Sequence, residues 1–410
     1  MEQVLVLREC NAVDMRGGRD DLVDIVVRDG RIVEIVPAGK ATVNGSGRRE
    51  LAVGGRTVVP GLVNMHEHLS NAHPGTSEER SIAGEDETGR ALRMAGNALK
   101  ALRSGVTSMR LVGEKEATDV RVREAVKAGK IIGPRLWTAG APLDFVGGHG
   151  GTVGALEGEG AEEFERLARG QVESGVDLLK LMICDGGAGE HLRTVRFSGD
   201  EFAAIRDVAR NANLRMSLHT AAVPHPIMEQ VIEDGVDSLE HCYLVPEDLL
   251  ERLIEREILL VMTPLVGRSP EYFRTIGLRD DMTERLTIAG KTHWVAIELA
   301  VRKGALLALG TDFHSHLEFG GTWAPVRELE LYEEAGADAK LVLALASRNG
   351  AEWLGVGDEL GLVEEGFLAD LLVLEENPLT DGASAFRSLR HVVAAGAILE
   401  PRPPEKPGTA

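Results

Sequence analysis

Residues 58–68, VVPGLVNMHEH, are the stretch that indicates the fold most directly. An apolar, strand-like run ends there in two histidines, His66 and His68, separated by one residue. Alternate residues of a strand point to the same side, so both imidazoles can bind one metal ion. In an α/β barrel, the residues that perform chemistry lie at the carboxyl ends of the strands. The position of this pair therefore predicts a barrel strand that carries metal ligands.

Seven more apolar runs follow, and most are separated by segments whose apolar residues recur every three or four positions, as in helices. Eight strand–helix units favour a parallel (β/α)₈ TIM-type barrel over an open doubly wound sheet. The predicted strands cover residues 57–65, 105–112, 134–140, 176–183, 214–219, 236–241, 257–263 and 304–312.

The two ends of the chain have a different pattern, with short strands and no intervening helices of comparable length. Asp29 and Gly30 join two alternating apolar runs in the manner of a two-residue hairpin turn. We expect both ends to form one small β-sandwich domain, with residues 1–58 and 351–400 on either side of a barrel at 59–350. The Pro-rich residues 401–410 are predicted to be a disordered tail.

Composition excludes several classes of function. The chain has 45 Lys and Arg against 65 Asp and Glu, a net charge of −20 that would repel a nucleic-acid backbone. No run of about 18 apolar residues occurs, which predicts no membrane span. Three cysteines are too few for a disulfide framework and favour a cytoplasmic location. We expect a small-molecule substrate and a homo-oligomer.

Four further polar residues fall in or at the ends of predicted strands: Lys180, His219, His241 and Asp312. Each has an ordinary alternative explanation, since a lone histidine is more often structural and Asp312 suits a turn. Lys180 is harder to explain, because an unpaired ammonium buried in the apolar run DLLKLMI is costly. Their coincidence with His66 and His68 on five strands favours one common site.

Several motifs together resemble the amidohydrolase superfamily over nearly the whole chain. They are VVPGLVNMHEH, the lysine of LLKLM, SLHTAA, GVDSLEH, LGTD and the closing GLVEEGFLADLLVLEENPL. Within it, the chain is most similar to the imidazolonepropionase-like and Xaa-Pro dipeptidase (prolidase) branch, whose loop after strand 3 corresponds to FVGGHGG here. The resemblance implies that His66, His68 and Asp312 hold one ion, that His219 and His241 hold a second, and that Lys180 bridges both as an N-carboxylated lysine.

Two divalent ions, with Zn²⁺ expected from the imidazole and carboxylate ligands, would lower the pKa of a shared water toward neutrality. We therefore expect a binuclear hydrolase that cleaves an amide bond of a peptide, an N-acyl amino acid or a related acyl compound. A metal-bridging hydroxide attacks, and Asp312 passes its proton to the leaving amine. The TAA that follows His219 and the MRLVG of strand 2 depart from the dipeptidase pattern and argue against Xaa-Pro specificity.

Two alternatives stay open from the sequence. A deaminase or cyclic-amide hydrolase of the same superfamily would use one metal and would not need Lys180, whereas a catalytically silent scaffold would be expected to lose ligands.

On the substrate side, His149 in the Gly-rich loop is assigned to substrate binding, with a solvent-exposed loop histidine as the alternative. Arg193, Arg196, His314 and His316 have no assigned role. The long connection at 264–303 is a candidate cover for the site.

Overall fold

The structure is a computed structural model that describes residues 4–42, 48–72, 77–82, 84–184, 197–221 and 223–406, apart from the side chains of residues 77–79, 149 and 152. The strands are β1 (Val4–Asp14), β2 (Gly17–Gly18), β3 (Val23–Arg28), β4 (Arg31–Pro37), β5 (Arg48–Ala52), β6 (Thr57–Pro60), β7 (Leu62–Glu67), β8 (Val106–Leu111), β9 (Arg135–Thr138), β10 (Leu143–Phe145), β11 (Leu156–Gly158), β12 (Leu178–Met182), β13 (Arg215–Thr220), β14 (Ser238–His241), β15 (Leu259–Val261), β16 (Glu318–Phe319), β17 (Thr322–Trp323), β18 (Leu371–Leu374), β19 (Leu389–Ala394) and β20 (Ala397–Leu399).

The α-helices are α1 (Ser77–Ile82), α2 (Glu87–Arg103), α3 (Thr118–Lys127), α4 (Ala161–Glu173), α5 (Gly199–Asn211), α6 (His225–Asp234), α7 (Glu247–Glu255), α8 (Pro264–Arg268), α9 (Pro270–Thr275), α10 (Asp280–Lys303), α11 (Ala324–Glu334), α12 (Ala339–Leu343), α13 (Asn349–Trp353) and α14 (Pro378–Asp381). Short 3₁₀ helices occupy Lys115–Ala117, His149–Val153 and Ala383–Ser388, and a π-helical turn occupies Ala344–Arg348.

Both chain ends contribute strands to one nine-stranded sheet, whereas the sequence predicts a β-sandwich domain built from them. Its order is β20-β19-β18-β6-β1-β3-β4, with β2 and β5 also paired to β1. The C-terminal strand β18 runs antiparallel to β6 and pairs Leu372 with Val59. A core of apolar side chains from both ends, including Leu7, Ile25 and Val373, packs together in this part of the molecule. The two ends therefore form one unit.

The central strands are parallel. One sheet has the order β7-β8-β9, and another has the order β11-β10-β12-β13-β14-β15. Register between β12 and β13 pairs Lys180 with Ser217 and Met182 with His219. Leu179 and Leu181 project to the opposite side of β12 from Lys180 and belong to the main hydrophobic core. The alternation thus turns Lys180 away from the main core, to the side that also carries Leu178 and Met182.

Single hydrogen bonds connect the central strands beyond these two sheets. Asp177 N donates to Thr138 O at 2.8 Å, which joins the end of β9 to the beginning of β12. Residues 304–312 are predicted to be a strand but contain only an isolated parallel bridge between Leu307 and Leu260. Even so, Met65 N donates to Leu309 O at 2.8 Å, so this segment lies beside β7.

The predicted strand at 57–65 is divided in two. Pro60 ends β6, which belongs to the nine-stranded sheet, and Leu62 begins β7 in the parallel sheet. A Cβ on Gly61 would overlap the side chain of Thr107, so only glycine allows this close approach between the two units. The change of sheet happens at Pro60 and Gly61.

Two of the helices that follow central strands begin at residues whose side chains satisfy free N–H groups. Ser198 and Glu201 form a capping box at α5, and Asp86 accepts a hydrogen bond from Gly89 N at the start of α2. The buried side of α5 includes Phe202 and Ile205, which join the main core. These helices therefore cover the apolar face of the parallel strands.

In the part of the chain that the structure describes, no helix combines the length and apolar character needed to cross a bilayer. Cys10, Cys184 and Cys242 are buried, and none of the three forms a disulfide. Residues 401–406 of the predicted tail are described, and Glu405 N donates to His316 O at 2.9 Å.

Candidate metal centre

All six residues predicted as metal ligands line one cavity. They lie at or near the carboxyl ends of the central strands: His66 and His68 in and after β7, Lys180 in β12, His219 in β13, His241 in β14, and Asp312 beyond the 304–309 segment. The remaining described walls are Asn71, Ala72, Val112, Gly150, Val153, Met182, Tyr272, Phe313, His314 and Leu317. The structure thus brings together side chains that are up to 246 residues apart (312 − 66).

The tightest group in this cavity consists of His66, His241 and Asp312. One ligand atom of each lies within 4.8 Å of those of the other two. His66 Nε2 is 3.4 Å from Asp312 Oδ1, and His68 Nε2 is 3.7 Å from the same oxygen. The His219 ring is adjacent, with its centroid 4.5 Å from that of His241. Imidazole nitrogens and a carboxylate in this arrangement are a donor set that fits a divalent transition metal.

A buried carboxylate orients His66. Glu240 Oε2 lies 2.7 Å from His66 Nδ1, and this contact directs His66 Nε2 toward Asp312. Glu240 Oε1 accepts from Arg110 at 2.5 Å and from Ser217 Oγ at 2.6 Å. Both Arg110 and Glu240 are fully buried. Burial alone would raise the pKa of Glu240, but Arg110 and Lys180 hold it well below its usual value.

Two other ligands are oriented in the same way. His68 Nδ1 is 2.7 Å from Gly113 O, and His241 Nδ1 is 2.9 Å from Thr263 Oγ1. Because the carbonyl of Gly113 can only accept, His68 Nδ1 carries the proton and Nε2 keeps a free lone pair. Burial lowers the pKa of His68 to about 4, which also favours the neutral ring that binds metal.

Lys180 is buried in β12, with 2% of its surface exposed. Burial lowers the pKa of its amine to about 8; Glu240 opposes this change and Arg110 adds to it. A lower pKa increases the fraction of neutral amine, which is the form that can react with CO₂. The structure therefore places a deprotonation-prone lysine against the same cavity as the histidines.

The backbone is strained where it presents several of these groups. Four residues there have positive φ values, in the left-handed region that residues other than glycine and asparagine rarely adopt. They are His241 (70°), Cys242 (52°), Thr263 (48°) and Asp312 (55°). Each such residue costs on the order of 1 kcal/mol and persists only where its surroundings hold it. Strain concentrated at the ends of β14, β15 and the 304–309 segment is typical of a functional site.

Gly310 allows the last segment to approach β7. A Cβ at this position would overlap Val261 and would lie 2.9 Å from the Cβ of His66. Gly310 N instead donates to the buried Glu328 Oε1 at 2.9 Å. Any larger residue would push the 304–312 segment, and with it Asp312, away from His66.

Only some of the residues considered as substrate contacts lie within the described part of the chain. The backbone of His149 belongs to the 3₁₀ helix His149–Val153, and its side chain lies outside the described part of the chain. Arg193 and Arg196 also lie outside it. Tyr272, from the long connection at 264–303, and His314 both line the cavity.

Sequence reasoning missed the groups that orient the ligands. Glu240 directly precedes His241 in β14, and Arg110 is the last residue but one of β8. Both are charged residues inside otherwise apolar runs, which is the signal that singled out Lys180. The same signal marks each of them as unusual in its strand, although it does not show that they pair.

Comparisons with known proteins agree with the geometry. Residues 57–399 match the model of the amidohydrolase family. Ochratoxinase of Aspergillus niger is 28% identical over 353 residues, covering 79% of this chain and 71% of the relative. An imidazolonepropionase of Porphyromonas gingivalis is 23% identical and covers 92% of this chain and 90% of the relative.

A crystal structure of a Xaa-Pro dipeptidase with bound methionine superposes with a TM-score of 0.84 at 22% identity, over 97% of this chain and 100% of the other. That likeness shows the fold. The family match includes all six of the histidine, lysine and aspartate residues that line the cavity and are predicted to bind metal. The chain therefore belongs to the amidohydrolase family and is a hydrolase that acts on carbon–nitrogen bonds.

Proposed function

We propose that the chain is a binuclear metal-dependent hydrolase that cleaves an amide bond of a peptide, an N-acyl amino acid or a related acyl compound. The observation that carries this proposal is the convergence of His66, His68, Lys180, His219, His241 and Asp312 on one cavity. Two divalent ions, with Zn²⁺ expected, would supply a hydroxide nucleophile at neutral pH and polarise the scissile carbonyl.

The residues of the chain have distinct tasks in this mechanism. His66, His68 and Asp312 would hold one ion, and His219 and His241 would hold the other. Asp312 accepts the proton of the attacking water and passes it to the leaving nitrogen. Glu240 and Gly113 keep His66 and His68 in the tautomer that presents Nε2 to the cavity.

Lys180 has the task of joining the two halves of the site. Its neutral amine reacts with CO₂ and releases a proton, which gives a carbamate with one negative charge and two oxygens. A free ammonium would repel both cations, whereas the carbamate attracts them. The buried position of Lys180 and its lowered pKa support this modification.

Metal analysis of the purified protein, followed by substitution of Asp312, tests the proposal. We expect close to two ions per chain and turnover of at least one substrate in a panel of dipeptides and N-acyl amino acids. Asp312→Asn is expected to lower kcat about 100-fold or more, since general acid–base catalysis contributes 10²–10⁴-fold, while most of the metal stays bound. An Asp312→Asn variant with normal turnover would exclude the proposed proton transfer.

The alternative with one metal has an observation of its own. His66, His241 and Asp312 already form a compact group sufficient for one ion, without Lys180. A deaminase or cyclic-amide hydrolase would then bind about one ion per chain, and Lys180→Ala would keep it. A carbamate signal in ¹³C NMR after incubation with labelled bicarbonate, absent from Lys180→Ala, would decide for the binuclear site.

We further propose that the central strands close into the predicted (β/α)₈ barrel. The hydrogen bond between Asp177 and Thr138 supports closure on one side. On the other side, Ala308 N donates to Leu260 O at 3.2 Å and Met65 N donates to Leu309 O at 2.8 Å, so residues 306–309 lie between β15 and β7. Protection of these amides from hydrogen exchange, similar to that of β13, is the expected result.

A further inference from the structure

A second cavity lies at the amino ends of the central strands, at the other end from the metal centre. Its walls come from the beginnings of β12 and β13, the residues before β14, and the ends of α5 and α13. Its volume is about 630 Å³, within the 300–1,000 Å³ that is usual for small-molecule sites. Arg215 in this cavity and His219 in the metal centre are four residues apart in β13, or about 13 Å along the strand. The two cavities are therefore separate.

The guanidinium of Arg215 is left unsatisfied in this cavity. Its Nη1 atom is buried and has no hydrogen-bond partner among the described residues. The group lies over the ring of Trp353, with Cζ 5.1 Å from the ring centroid. Arg110 lies over the same ring at 4.6 Å, but Glu240 balances its charge at 2.5 Å. Arg215 has no such partner within the described chain, and a buried donor in this state points to an anionic ligand.

Two other charged groups in the cavity already have partners outside it. Arg206 Nη1 is 3.3 Å from Asp234 Oδ1, and Asp177 Oδ2 is 2.6 Å from Arg123 Nη1. Neither Asp234 nor Arg123 lines the cavity. Arg206 and Asp177 are therefore neutralised within the protein and leave the balance of charge in the cavity to its remaining groups.

The remaining charged groups are Arg210, Arg215 and Asp237. Arg210 Nη2 donates to the backbone carbonyl of Asp234 at 2.9 Å, which satisfies a donor without neutralising its charge. Asp237 Oδ2 accepts from Met216 N at 2.7 Å, so this carboxylate is held by the backbone. Two guanidinium groups and one carboxylate leave one net positive charge. A singly charged anion, such as a carboxylate, balances this set.

Two indole rings form part of the cavity wall. They belong to Trp137 in β9 and to Trp353 at the end of α13. Trp353 Nε1 donates to Asp237 O at 2.9 Å, and this hydrogen bond fixes the ring beside Arg215. Leu214 and Leu354 add apolar surface. Indole rings and leucine side chains are suited to contact with a flat apolar group.

We propose that this cavity binds a planar aromatic carboxylate as a second ligand, distinct from the substrate at the metal centre. Its carboxylate pairs with Arg215 and Arg210, since a guanidinium presents a planar fork of donors that matches a carboxylate. Its ring lies against Trp137 and Trp353. The assignment is independent of the proposed reaction, because the two cavities share no lining residue.

Titration calorimetry of the zinc-loaded protein with three probes tests this proposal. The probe 2-naphthoate has both the ring and the charge, 2-naphthamide lacks the charge, and acetate lacks the ring. We expect the wild type to bind 2-naphthoate about tenfold or more tightly than either of the others. Equal affinities for 2-naphthoate and 2-naphthamide would overturn the assignment of the carboxylate. Equal affinities for 2-naphthoate and acetate would overturn that of the ring.

Arginine variants test which groups hold the anion. Arg215→Gln is expected to weaken binding of 2-naphthoate about tenfold or more and to change binding of 2-naphthamide less than about twofold. Arg210→Gln replaces an exposed helix residue, so it keeps the test valid if Arg215→Gln does not fold, and a smaller loss is expected. The matched control is Arg169→Gln in α4, which is 57% exposed, lies outside the cavity and should bind as the wild type does. Wild-type affinity in both Arg210→Gln and Arg215→Gln would overturn the proposal.

A variant of the metal centre locates the bound probe, because zinc also binds carboxylates. His219→Ala should keep the affinity of the wild type for 2-naphthoate within about twofold, since His219 does not line the second cavity. Binding that is lost in His219→Ala but unchanged in Arg215→Gln would place the probe at the metal centre and contradict the second site.

Discussion

Glu240 connects His66, a proposed metal ligand, to the buried charge of Arg110, and this predicts the effect of replacing Glu240. Glu240→Gln leaves the guanidinium of Arg110 without its counter-charge, although both side chains are fully buried. Breaking a buried ion pair costs about 3–5 kcal/mol, and loss of the carboxylate that orients a ligand lowers metal affinity about 10–100-fold. Urea denaturation of the metal-free protein and zinc titration measure the two effects separately.

Glu400→Gln is a suitable control, because Glu400 also contacts a histidine, His391, but is 75% exposed. We expect its free energy of unfolding to stay within about 0.5 kcal/mol of the wild type. Equal stability and zinc affinity in Glu240→Gln would show that His66 needs no carboxylate to orient it.

At the scale of single residues, the sequence predicts which polar residues line the cavity better than it predicts the groups that orient them. A proposed metal ligand such as His219 stands at a strand end, where chemistry in a barrel is expected. Glu240 and Arg110 each stand out as a charged residue in an apolar run, but their pairing appears only when β8 and β14 bring them together from 130 residues apart in the chain. Which charged residues become partners depends on tertiary packing, and no local pattern of residues encodes it.

Among the elements, the segments that follow β7 and β8 are joined by a buried carboxyl group. Glu114 is inaccessible to solvent, accepts from Ser70 N at 3.2 Å, and adjoins Gly113, the partner of His68. Burial raises the pKa of Glu114 to about 8. Because this pKa lies above the value of 4.5 in the unfolded chain, its contribution to stability is complete below pH 4.5 and disappears as the pH rises through 8.

The metal-free protein should therefore lose on the order of 2 kcal/mol of unfolding free energy from this group between pH 5.5 and pH 8. Glu114→Gln, which is neutral at both values, should reduce that loss, and urea denaturation at the two pH values measures it. The exposed Glu124→Gln should retain the pH dependence of the wild type. A slope unchanged by Glu114→Gln would show that the carboxyl group ionises freely in the folded state.

The elements themselves follow the sequence where hydrophobic runs are regular and depart from it where two units meet. Runs such as 105–112 and 236–241 correspond to β8 and β14. The run at 57–65 crosses from one sheet to another at Gly61. The sequence does not reveal this change, because hydropathy does not indicate which neighbour an apolar residue packs against. The run at 304–312 bonds to β15 and β7 only through separate backbone hydrogen bonds, and Gly310 N donates to the side chain of Glu328 instead of to a strand.

Across the whole molecule, a metal centre would tie together segments that are distant in the sequence. Its proposed ligands come from β7, β12, β13, β14 and the segment that ends at Asp312. The strand β7 continues directly from β6, which pairs with β18 from the other end of the chain. Loss of metal should therefore destabilise the central strands and the nine-stranded sheet together.

Chelation of the zinc-loaded protein tests this coupling. An ion at 1,000 times its Kd stabilises the native state by about 4 kcal/mol, so removal of two ions should lower Tm by roughly 5 °C or more. We expect one cooperative transition in calorimetry both before and after chelation, because β6 and β7 are separated by a single residue. Lys180→Ala should show a smaller difference, since it lacks the group proposed to bridge the ions. Two separate transitions, with only the earlier one sensitive to chelation, would mean that the chain ends fold independently of the metal centre.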